Sequence, residues 1–196
     1  MKLLNLVWVL FIAVACTSSE IREGDQLFEA GKYQQAIAAY NDYLSSHQTD
    51  VATLYNRGRS YEEVGEYELA LRDFEEVIKI DKRNINAYLS IAKVYYNQEK
   101  FSLSLVTVGK ALELNENSVQ GNFLEGRCRH QLGYFDQALE SYSLAIKLNR
   151  DFGEAYLYRG ALKVQLNKSQ QACEDFVKAN NLKVPEGASA IKKYCN

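Results

Sequence analysis

A period of 34 residues runs through this chain of 196. Steps of 34 from Gly24 land on Gly58, Ala92, Gly126 and Gly160, a small residue each time. A second column, Ala36, Ala70, Ser104, Ala138 and Ala172, is also small throughout. Two aromatic columns accompany them, with one departure in each: Tyr33, Tyr67, Phe101, Phe135 and Ser169, and Tyr40, Phe74, Val108, Tyr142 and Phe176. A period of this length marks a stack of like supersecondary units, none of which buries its apolar face alone. The columns describe two helices per unit in close contact, small residues letting the backbones approach while aromatics fill the space beside them.

Turn and cap residues divide the units. Gly31, Gly65, Gly133 and Asn167 recur where a left-handed residue is needed between the two helices, and Glu99 is the exception in that slot. At the junctions Asp50, Asn84 and Ser118 share one slot and Asp151 lies one residue early, so each is expected to cap the helix that follows.

The small–aromatic–small signature over 34 residues resembles the tetratricopeptide repeat. The resemblance implies an all-α fold, a right-handed α-solenoid of about five helical hairpins at 17–50, 51–84, 85–118, 119–152 and 153–186, the solenoid occupying 21–186. The Pro expected near the end of each unit is missing from the first four, and Pro185 supplies it in the fifth. Residues 187–196, GASAIKKYCN, are expected to form a short capping helix with Ala188, Ile191 and Tyr194 on its covering face.

The N-terminus has a different grammar. Lys2 is followed by an apolar run from Leu3 to Ala15, interrupted at Asn5, and small residues precede Cys16. This run of about 13 residues is shorter than the ~20 needed to span a bilayer. It resembles a bacterial lipoprotein signal peptide at Val14, Ala15 and Cys16, with Ala13 where that pattern prefers Leu, Val or Ile. The resemblance implies a leader over 1–15, an acylated Cys16 and a short tether over 16–20; an ordinary secretory leader is the alternative. Both export the protein. Thr17 after the cysteine resembles outer-membrane sorting, so the expected address is the bacterial cell envelope, lipid-anchored at the outer membrane and facing the periplasm.

Cys173 stands in the column of Ile37, Leu71, Leu105 and Leu139, which points toward the following unit, where the capping helix carries Cys195. In an oxidising compartment a disulfide between them is expected, worth roughly 3 kcal/mol in the chain-entropy view. The alternative is that Cys173 is a small buried hydrophobe. Cys128 and His130 lie two apart and so face different ways on a helix, a poor arrangement for one metal ion. Cys128 shares a column with Val94 and Leu162, which suits a packed thiol. With no general base beside a nucleophile and no glycine-rich phosphate loop, neither catalysis, a metal, a cofactor nor a small-molecule substrate is expected. A formal charge of −2 without a basic run leaves no footprint for nucleic acid.

Function is therefore expected on the inner groove that the resemblance implies for the first helices. Tyr55, Leu89, Phe123 and Leu157 form one row, Arg59, Lys93 and Arg127 a second, with Glu62, Tyr96 and His130 further along. A basic row beside an apolar one suits an extended peptide or protein segment with acidic and apolar side chains. The alternative is a solvated face in which Arg59 pairs with Glu62 or Glu63 on its own helix. Tyr55, Leu89 and Arg59 do not reproduce the Lys and Asn pattern that grips a free C-terminal carboxylate in some tetratricopeptide domains. The expected function is a non-enzymatic, membrane-anchored adaptor, or alternatively a constitutive structural subunit of an outer-membrane assembly or secretion complex. A cell-wall carbohydrate role would draw on the 14 tyrosines, many of which fall in packing columns.

Overall fold

The computed structural model describes residues 23–195. The leader, Cys16, the 16–20 tether and Asn196 lie outside the described residues. Residues 23–29 are helical (α1), and α2 (Tyr33–Leu44), α3 (Val51–Glu63), α4 (Tyr67–Ile80), α5 (Ile85–Asn97), α6 (Phe101–Leu114), α7 (Val119–Gln131), α8 (Phe135–Leu148), α9 (Gly153–Gln165), α10 (Ser169–Asn181) and α11 (Gly187–Tyr194) follow. No strand occurs among the described residues. The chain comprises two compact units that divide between Val94 and Tyr95, within α5. In the first, α3 packs against α2 and α4; in the second, α6 through α11 pack in sequence, each on its neighbour.

Each first helix ends in the same way. Gly31, Gly65, Glu99, Gly133 and Asn167 all have φ between +58° and +82°. The amide after each reaches back five residues, as in Glu66 N to Tyr61 O at 2.9 Å and Tyr134 N to Arg129 O at 2.8 Å. This pattern satisfies two carbonyls that a helix end otherwise leaves open and reverses the chain. Glu99 adopts the left-handed conformation without being glycine, so its slot is not an exception in backbone geometry. The second helices then start without side-chain caps, at Lys32, Glu66, Lys100, Tyr134 and Lys168.

Side-chain caps occur on three first helices. Asp50 accepts from Thr53 N at 2.8 Å, Asn84 from Ala87 N at 3.0 Å and Ser118 from Gly121 N at 3.1 Å. Asp151 does not cap α9, contrary to expectation: Phe152 holds the N-cap position, and Asp151 instead donates its amide to Asn149 Oδ1 at 3.0 Å. The one-residue offset places its carboxyl outside the reach of the first-turn amides.

Close approach within a hairpin depends on the small column. A Cβ built on Gly58 would lie 2.7 Å from the Phe74 ring, and one on Gly126 would lie 2.7 Å from Tyr142. Both rings are fully buried. In the first unit Leu44, Leu54, Val77 and Ala87 form a core cluster; in the second the cluster holds Phe123, Tyr142, Tyr156 and Leu162. Burial raises the Tyr142 phenol well above its ordinary range. Tyr40 is raised likewise, by burial and by donating to Asp25 Oδ1 at 2.8 Å.

Two charged clips cross the same interfaces. Arg57 holds Asp73 with Nε and Nη2, both at 2.7 Å, and Arg159 holds Asp175 at 2.9 and 2.7 Å, with Lys163 joining Asp175 at 2.7 Å. Asp73 and Asp175 are buried, so the bidentate fork supplies the charge and hydrogen bonds that water no longer does. The bond to Asp73 raises the Arg57 pKa above its ordinary value.

At the C-terminal end α11 lies on α10, with Cys173 and Cys195 joined in a disulfide, Cα atoms 5.6 Å apart. Tyr194 stacks on Phe176 at 5.8 Å, and Gly187 is buried against the backbone of Asn180. The covering face differs from the expected one: Ala188 is exposed, Gly187 is buried, and Ala190 and Ile191 are half-buried, while Tyr194 stays 40% exposed beside its stacking partner.

Gly126→Ala should lower stability by about 1–3 kcal/mol, because the added methyl must displace a packed ring. Urea unfolding reads this as a lower midpoint, and an unchanged midpoint would refute the close approach. Glu99→Gly should raise stability by about 1 kcal/mol by relieving the left-handed backbone, read in the same titration; a loss of stability would show that the Glu99 side chain matters more than its backbone.

Candidate binding face of the first helices

In the first unit the expected row comes from α3 and α5. Tyr55 is half-buried, and its hydroxyl lies 3.2 Å from Ser90 Oγ, so α5 fixes its tilt. Leu89 is half-buried beside it in the row. Arg59 does not pair with Glu62; its guanidinium carbon sits 5.0 Å from the Phe28 ring centre. Glu62 is buried, and Lys93 reaches it from α5 at 2.8 Å. A buried carboxylate without a cation would be costly, so Lys93 is committed to the fold and adds little free positive charge. Lys93 therefore differs from Arg59 and Arg127, which share its register but lie against aromatic rings. The Lys93 side chain is still 50% exposed.

In the second unit Tyr96, Phe123 and Arg127 come together. Phe123 is only 8% exposed and packs edge-on against Phe152 and Tyr158, with centroids 4.9 and 5.4 Å away. It is a core residue that supports the face, where a surface contact was expected. Arg127 projects from the next turn of α7, its guanidinium carbon 4.1 Å from the Tyr96 centroid, 5.0 Å from Tyr158 and 5.8 Å from Phe123. Tyr158, from α9, is a member of the cluster that the sequence reading missed. Its column reads Asn56, Ser90, Leu124 and Tyr158, so no repeated character announces it.

The acids nearby are engaged elsewhere. Glu125 pairs with Arg129 at 2.9 Å and accepts from Ser141 Oγ at 2.9 Å. Among the described residues no carboxylate pairs with Arg127, and its Nε is buried without a hydrogen-bond acceptor. His130 is held by Gln165 Oε1 at 2.9 Å, and Gln131 donates to the Tyr96 hydroxyl at 3.4 Å. Cys128 is fully buried and donates to Ser104 Oγ at 3.0 Å, and burial raises its thiol pKa. Among the described residues no group of three or more His, Cys, Asp or Glu is placed to hold a metal ion, and no helix is long and apolar enough to cross a membrane.

Comparison with known proteins bears on the fold. Residues 58–99 match a family model described as TPR repeat, and residues 119–152 match one described as tetratricopeptide repeat. Among curated proteins nothing matches. Among solved structures, TTC0263, a thermophilic TPR protein of Thermus thermophilus, is similar at 22% identity and a TM-score of 0.74 over 89% of this chain and 98% of its own. A MamA fragment from Desulfovibrio magneticus RS-1 is similar at 17% identity and a TM-score of 0.74, over 85% of this chain and 94% of its own. YrrB, described as a TPR protein with an unusual peptide-binding site, is similar at 23% identity and a TM-score of 0.66, over 89% and 90%. At these identities the likeness is one of fold. The two matched segments, one reaching from α3 to just past α5 and the other covering α7 and α8, show that this chain carries tetratricopeptide repeats, with the same left-handed turn closing each hairpin.

Proposed function

We propose that this protein is a membrane-anchored adaptor that binds an extended protein segment on the faces of its first helices. Tetratricopeptide repeats are interaction scaffolds, and YrrB provides a precedent for peptide binding on this fold. The observation that carries the reading is the cluster of Arg127 with Tyr96, Tyr158 and Phe123, a desolvated cation on an aromatic surface with no acid of its own among the described residues. Aromatic and arginine side chains held in place by a scaffold are the types that dominate protein recognition. Anchoring rests on the leader grammar before Cys16, whose acylation would leave only a short tether before the helices. The constitutive subunit of a larger assembly is the second reading.

Metabolic labelling with an alkyne fatty acid should mark the wild type and not Cys16→Ala; labelling of both would refute the anchor. A photo-crosslinking residue at Ala161, exposed on the first helix α9, should capture a protein in the envelope, whereas one at Lys79 on α4 should not. Capture only from Lys79 would move the binding surface to the second helices. A partner recovered at fixed ratio would favour the subunit reading, and one that exchanges would favour the adaptor.

A further inference from the structure

We infer that the face of α6 turned away from α7 is a docking surface for a second copy of this chain, the two α6 helices pairing antiparallel about a two-fold axis at Val106. The inference stands whether or not the first helices bind a segment. α6 packs on α7, with Ser104, Val108 and Ala111 buried and Ser104 Oγ bonded to Cys128. On the opposite side Leu103 and Val106 are 51% and 64% exposed. At the register of Val106 three other second helices carry Arg72, Glu140 and Glu174, whereas α6 holds no charged residue from Phe101 to Gly109. Exposed apolar surface without interspersed charge marks a place that another surface covers.

Gly109 is an independent mark on the same face. A glycine inside a helix is destabilising relative to alanine. This one has no use within the chain: its φ is not left-handed, a Cβ built on it would meet nothing within 4 Å, and no other second helix has glycine in that register. What the missing side chain provides is a hollow open to the outside. An antiparallel pair centred on Val106 sets each residue opposite the one equally far beyond the axis, so Leu103 of one copy falls on Gly109 of the other, twice over. In a parallel pair Leu103 would meet Leu103 and the hollows would face each other.

Charge selects a second copy as the occupant. Glu99 and Lys100 precede α6, Lys110 and Glu113 lie in its last turns, and all four are exposed. Among the described residues none of them is in an ion pair. Each end of the antiparallel pair brings Glu99 and Lys100 of one copy to Lys110 and Glu113 of the other, two acids against two bases. One helix from each copy gives a contact below the ~800 Å² per partner of a standard interface, so the dimer is reversible and concentration-dependent.

Sedimentation velocity of the purified full chain, with its disulfide intact, reads the association, and circular dichroism melting reads the fold. Wild type should pass from monomer to dimer as its concentration rises. Gly109→Leu fills the hollow and should weaken the dimer by about 10-fold or more without lowering the melting temperature, because nothing in the chain occupies that space. Lys110→Glu leaves three acids and one base at each end and should weaken the dimer about 10-fold, and adding Glu99→Lys should restore it. A photo-crosslinking residue at Val106 in cells should give an adduct of twice the mass of the chain. A wild type that stays monomeric, a Gly109→Leu dimer as tight as wild type, or a charge swap that fails to restore association would overturn the pairing. So would an adduct of another mass, which would put a different protein on this face.

Discussion

The contact between a glycine on one helix and an aromatic ring 16 residues later governs the rest of this structure. Gly58 against Phe74, Gly126 against Tyr142 and Gly160 against Phe176 each leave no room for a methyl group, so the interhelical distance is set by a backbone touching a ring. With that distance fixed, the positions one residue before it, Arg57 and Arg159, fall opposite Asp73 and Asp175 and clip the same interface. The third repeat varies both size classes together in its sequence: Ala92 replaces the glycine and Val108 replaces the ring. Large with smallest and medium with small is how a repeat keeps its volume while its residues drift.

The distribution of charge follows a different rule from the packing. Carboxylates that the fold buries are given cations: Asp73, Asp175 and Glu62 each have one within hydrogen-bond distance, at 2.7, 2.7 and 2.8 Å. Arg127 is the inverse, a cation given rings and no acid among the described residues. Rings stabilise a guanidinium without neutralising it, so its charge remains available at the surface.

Much of the fold is legible in the sequence because the 34-residue columns are packing constraints, and packing recurs wherever the same two helices meet. Gly31, Gly65 and Gly133 announce their turns for the same reason. Glu99 does not, since a left-handed residue is a backbone property that a few L-residues tolerate when the surrounding turn is well hydrogen-bonded. The face is less legible. Column logic places Phe123 beside Arg127 correctly but assigns it to the surface, because register tells which side of a helix a residue takes and not how deeply the neighbouring unit covers it. Tyr158 and Phe28 escape altogether, because each meets its arginine from another helix. The pairing of Lys93 with Glu62 is similarly invisible, since the contact runs between two helices.

The disulfide at the end of the second unit bears on how that unit comes apart. A row of stacked hairpins has no single core, so its ends are where loss of structure starts most easily, each terminal element giving up contacts on one side only. Joining Cys173 on α10 to Cys195 beyond α11 ties the final helix to the one beneath it, so α11 cannot leave alone as long as α10 holds. The C-terminal end is thereby made a poor starting point for unravelling. Disorder entering the second unit must come from its other side, giving an otherwise repetitive stack a direction.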